Sequence, residues 1–164
     1  MIRTSRRLGP LLLTLLLAPV IAGACGVVSS SPPAATPDDF QGIAGEIVSR
    51  GIHIDHLISG DAGCSDSTLT KTAIGFDASG LDQTTVVRLR IYIFGDDEAY
   101  SRLRSTIDDC AKTYVTDAAT FESIDDSPYV LTSQGPWGPT FEAALRDAIV
   151  AAAAGTGKGA PGGD

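Results

Sequence analysis

From residue 37 onward the apolar positions alternate between two periods, and the alternation lays out the elements. Phe40, Ile43, Ala44, Ile47 and Val48 recur at the spacing of one helical face. Thr36-Pro-Asp-Asp39 supplies a cap, a first-turn proline and two acids for the positive helix end, and Gly51 supplies the stop, so a helix over about 37–50 is expected. Ile52–Ile58 reads as a strand with Ile52 and Ile54 on one face and His53 and Asp55 on the other. Ser59–Ser67 is a loop by residue type, with room for a short helix over 67–72. Thr72–Ala78 reads as a second strand, with Ile74 and Phe76 inward. From Thr84 to Phe94 the alternation is strict: Val87, Leu89, Ile91 and Ile93 face one way, Arg88, Arg90 and Tyr92 the other. One apolar and one wet face is the mark of an antiparallel sheet.

A second helix follows, capped by Asp96 or Asp97, with Tyr100, Leu103, Ile107, Cys110 and Tyr114 on one side. Phe121–Ile124 and Tyr129–Ser133 form two short strands about the turn Asp125–Pro128. A last helix begins near Pro139 with Phe141, Ala144, Leu145, Ala148 and Ile149 inward. The order α-β-β-β-α-β-β-α predicts an α+β fold: an antiparallel sheet of about five strands with helices packed on one face. The domain is expected to span 37–154, and the Gly-rich tail 155–164 to be disordered.

Ahead of this domain, Arg3, Arg6 and Arg7 precede the apolar run Leu11–Leu17, and small residues lead to Cys25. That is the build of a secretory signal peptide. Pro19 breaks the run, which falls short of the roughly 20 apolar residues a membrane span needs. Ile21-Ala-Gly-Ala-Cys25 resembles the lipobox of bacterial lipoproteins, departing from it at Ala22, where the family prefers Leu or another branched residue. The resemblance implies cleavage of 1–24, lipidation of Cys25, and a protein held on the extracytoplasmic side of the cell membrane. Residues 25–36 are then a Ser/Pro/Ala tether. About ten such residues reach roughly 30–35 Å when extended. The element order also resembles small α+β lipoproteins of bacteria, a resemblance that assigns no functional residue.

Charge narrows the partners. The chain has 12 basic and 20 acidic residues, and the leader takes three arginines, leaving 9 against 20, a net of −11. A nucleic-acid partner is excluded on that balance, because phosphate binding rests on Lys and Arg. With Cys25 assigned to lipid, Cys64 and Cys110 are an even pair in an oxidising compartment, expected to form a disulfide. Neither belongs to a C-x-x-C motif that would argue for a redox thiol.

Several stretches carry chemical residue types, each with a plainer explanation. His53 and His56 on a regular strand point to opposite faces, which opposes a zinc pair; a solvated His53 and a partly buried His56 are expected. Asp61, Ser65, Asp66 and Ser67 offer calcium oxygen ligands but lack the ligand order of a calcium loop, and turn and cap roles explain them. The Asp pairs at 38–39, 96–97, 108–109 and 125–126 fit helix starts, a helix flank and a turn. Gly155-Thr-Gly-Lys-Gly159 lacks the Ser or Thr, the strand and the helix of a phosphate loop. No G-x-S-x-G elbow occurs. Trp137, in Gly-Pro-Trp-Gly-Pro139, suits a plug over the core edge better than a surface anchor.

One surface stands out: the wet sheet face with His53, Asp55, Arg88, Arg90 and Tyr92, where Ala73 and Gly75 leave a depression. Two arginines there could hold a carboxylate, or merely pair with neighbouring acids. The leading expectation is a non-enzymatic, lipid-anchored domain that binds a protein or an envelope component, with no catalytic residue, no metal and no cofactor. An anionic-solute binding protein using this face is the alternative, and an envelope hydrolase the third reading.

Overall fold

The computed structural model describes residues 37–156, and side chains from Phe40 to Gly155. The leader, Cys25, the tether with Thr36, and residues 157–164 lie outside the described residues. The elements are α1 (Pro37–Ser49), β1 (His53–Ser59), α2 (Ser67–Thr70), β2 (Ala73–Gly80), β3 (Gln83–Ile93), α3 (Asp97–Ala111), a 3-10 turn (Ala118–Thr120), β4 (Phe121–Asp126), β5 (Tyr129–Gln134) and α4 (Pro139–Thr156). All five strands form one antiparallel sheet in the order β1-β2-β3-β5-β4. The fold is α+β in the expected order. The connection through α3 skips one position, so that the β4–β5 hairpin can fold back and set β5 against β3.

The period-2 pattern of β3 decides the layering. Leu89 and Ile91 join Ile74, Phe76 and Leu131 on one face, under Phe40, Ile43 and Ile47 of α1 and Phe141, Leu145 and Ile149 of α4. Gly51, at φ +84, ends α1 in the left-handed turn that glycine adopts without a steric cost. Trp137 belongs to this core, its ring 6.3 Å edge-on from Phe141, and its indole Nε1 makes no hydrogen bond among the described residues. The far end of α1 departs from its stripe, since Val48 is exposed.

Helices were expected on one face only; α1 and α4 take that face, but α3 packs on the opposite one. Tyr92, Ala73 and Val130 lie on the side expected to be wet, where they form a second apolar core with Ala62, Leu69, Ile107 and Cys110. The cause is composition: at this end of the strands the outward positions carry an aromatic ring and small or branched apolar groups, which need a cover.

α4 begins against the β2–β3 hairpin. Asp82 Oδ2 accepts from the Thr140 N–H at 2.9 Å and Oδ1 from the Phe141 N–H at 2.8 Å, satisfying two of the unpaired donors at the helix start. Hydrogen bonding from the Thr140 backbone leads the causes that lower the Asp82 pKa.

Candidate functional site

Strand register brings the candidate residues into rows. Asp55 pairs with Asp77, which pairs with Arg88; Gly75 pairs with Arg90; Ala73 pairs with Tyr92; His53 pairs with Ser79. His53, Asp55 and Arg88 therefore gather on one face as expected.

Tyr92 does not share their exposure. It is 0% exposed, and its hydroxyl donates to the Ala62 carbonyl at 2.8 Å. Burial is the first cause that pushes its pKa up. Tyr92 thus fastens the loop after β1 to the sheet and is not part of an open binding face.

That loop also engages the two arginines. Asp61 Oδ2 accepts from Arg88 Nη2 at 2.8 Å and Nε at 3.2 Å, while Oδ1 accepts from Arg90 Nε at 3.1 Å and from the Gly63 N–H at 3.1 Å. Arg88 Nη1 donates to Asp77 Oδ1 at 3.1 Å and to the His56 carbonyl at 2.9 Å. The Arg90 guanidinium lies 4.2 Å from the centre of the Tyr114 ring, whose hydroxyl is 2.7 Å from Thr132 Oγ1. The depression at Gly75 is where the Asp61 carboxylate sits, since a Cβ there would collide with Oδ2. Burial raises the Asp61 pKa, but hydrogen bonds and charge from Arg88 and Arg90 outweigh it, and the net shift is downward.

Cys64 and Cys110 hold the loop in place at disulfide distance, with Cα atoms 5.4 Å apart. The remaining candidate ligands of this loop have internal partners. Asp66 caps α2 by accepting from the Thr68 and Leu69 N–H groups at 2.8 and 2.9 Å. No group of three or more His, Cys, Asp or Glu residues is arranged to hold a metal ion among the described residues. The Asp38 and Asp39 side chains lie outside the described residues; of the other acidic pairs, Asp96 caps α3, Asp97 bonds Ser127, Asp108 and Asp125 flank Arg104, and Asp109 meets Lys112.

His56 departs from expectation. It is exposed rather than partly buried, at φ +48 in a bulge between Asp55 and Ile58. An extra residue in one strand breaks strict alternation. His56 is consequently brought to the same cavity as His53, where a regular strand would have sent them apart. Its Nδ1 lies 3.3 Å from Asp77 Oδ2 and 3.5 Å from Asp55 Oδ2. The cavity, about 260 Å³, is lined by His53, Asp55, His56, Asp77, Ser79 and Val86. Val86, 65% exposed, is its apolar wall.

Sequence reasoning missed Asp61 as the partner of both arginines and Val86 as part of the site. Gly75 was the available signal for Asp61, because an interior strand glycine marks a close approach. Cys25 lies outside the described residues, and no helix among those described is long and apolar enough to cross a membrane. No family model, curated protein or solved structure matches the chain.

Proposed function

We propose that this chain is a lipid-anchored, extracytoplasmic, non-enzymatic domain that binds another protein or an envelope component. The observation that carries the reading is β1. It is an edge strand, accessible along its length, with Leu57 and Ile58 exposed beside the cavity. Sheet edges are templates for a partner's extended segment. The anionic-solute alternative has less support, because Arg88 and Arg90 already hold the carboxylates of Asp61 and Asp77.

Two measurements on the full chain in a bacterial host test the proposal. Metabolic labelling with a fatty acid should tag the wild type and not Cys25→Ala; equal labelling would overturn the anchor. A photoreactive residue in place of Leu57 should yield a discrete crosslinked partner, whereas one in place of Arg102 on α3 should not. Identical patterns from both positions would overturn the partner-binding reading.

A further inference from the structure

We infer that the cavity beside β1 receives a primary ammonium on an unbranched aliphatic stem, specifically a lysine side chain of a protein partner lying along β1. The inference rests on the binding-domain reading and gives it a chemistry. Its sign is opposite to the one the two arginines first suggested. Around the polar rows, three carboxylates (Asp55, Asp61 and Asp77) face two guanidiniums (Arg88 and Arg90). One negative charge is left over while the imidazoles are neutral. Asp61 is satisfied by both arginines and Asp77 by Arg88, so the surplus charge falls to Asp55. Among the described residues Asp55 meets no cation but only the His56 N–H at 2.7 Å and the His56 Nδ1 at 3.5 Å, and its side chain is 63% exposed at the cavity.

The rest of the lining fits the same ligand. His53 and His56 offer imidazole nitrogens, Ser79 a hydroxyl, and Val86 an apolar wall. A lysine buries its methylene stem against such a wall while its charged head meets carboxylates. At about 260 Å³ the cavity lies below the roughly 300–1,000 Å³ of typical small-molecule pockets, which suits one side chain rather than a cofactor. The bulge at His56 interrupts the edge ladder, so a partner strand can pair only over a short run, and the side chain in the cavity supplies the selectivity.

The test uses the full lipidated chain in nanodiscs, with the Val86 methyl groups observed by NMR. Titrating n-butylammonium should give a saturable shift, and sodium butyrate at the same concentrations should give none. Asp55→Asn should weaken n-butylammonium binding about threefold to fivefold, the scale of one exposed charge pair. The Leu57 crosslink to a partner should fall in parallel. No saturable shift, an equal response to butyrate, or unchanged affinity in Asp55→Asn overturns the inference. If the Leu57 crosslink persists undiminished in Asp55→Asn, the lysine contact is wrong and the binding-domain reading stands. If n-butylammonium binds but Leu57 never crosslinks a protein, the partner-lysine assignment is overturned along with that reading.

Discussion

The same face of one sheet ends in two different ways. Around Tyr92 and Arg90 it is closed: the loop after β1 lies over it, held by the Cys64–Cys110 pair, the Asp61 carboxylate and the Tyr92 hydroxyl. Around His53 and Val86 it is open, and a bulged edge strand borders a small cavity. Both ends derive from the same strict alternation along β3. Alternation assigns a side chain to a face but does not say what covers that face. The cover comes from a loop rich in Gly, Ser and Asp, folded back by long-range contacts. The consequence is chemical: the closed half consumes the positive charge, and the open half retains a carboxylate in excess.

Substitutions can break or sharpen this contrast. The largest effect is expected for Tyr92→Ala, which removes a fully buried ring from the second core and should cost about 4 kcal/mol in urea unfolding. Replacing both Cys64 and Cys110 by Ser should cost about 3 kcal/mol and raise amide exchange in the loop around Ala62, leaving exchange in α1 and α4 lower.

Asp61→Asn should cost about 1–2 kcal/mol at pH 7, less than for a fully buried ion pair because Asp61 is 20% exposed. Because folding lowers the Asp61 pKa below its ordinary 3.8, the carboxylate's contribution is complete above that value and is lost as pH falls through the lower folded-state pKa. The stability gap between wild type and Asp61→Asn should therefore narrow in unfolding measurements below pH 3.8. At the open end, Val86→Ser should change stability by less than about 0.5 kcal/mol. The same variant should weaken n-butylammonium binding, separating recognition from folding.

Much of the fold was legible because its apolar stripes are local. Helical spacing found α1, α3 and α4, alternation found β3, and the Asp125–Pro128 turn marked the β4–β5 hairpin. The cysteine pairing was legible too, because setting Cys25 aside leaves Cys64 and Cys110 as an even pair, and Cys110 falls on the inward side of α3. The missed features depend on contacts distant in sequence or on broken periodicity. Asp61 reaches Arg88 and Arg90 across 27 and 29 residues, and Asp82 caps α4 from 58 residues away. Neither link leaves a local spacing, and an aspartate in a Gly/Ser loop reads equally as turn, cap or calcium ligand. His56 was placed by a strand rule that its own bulge suspends. Tyr92 was assigned to the correct side, but a tyrosine serves equally as a wet residue or as an aromatic ring with one hydrogen bond to satisfy.

Chemical footprinting of the folded full chain tests the closed-and-open account most directly. Phenylglyoxal modifies accessible guanidiniums and diethyl pyrocarbonate accessible imidazoles, and mass spectrometry locates both. Arg88 and Arg90 should resist modification while the exposed Arg102 reacts, His53 and His56 should both react, and Asp61→Asn should render the two arginines reactive. Modification of Arg88 and Arg90 as fast as Arg102 in the wild type, with His53 and His56 protected, would contradict it.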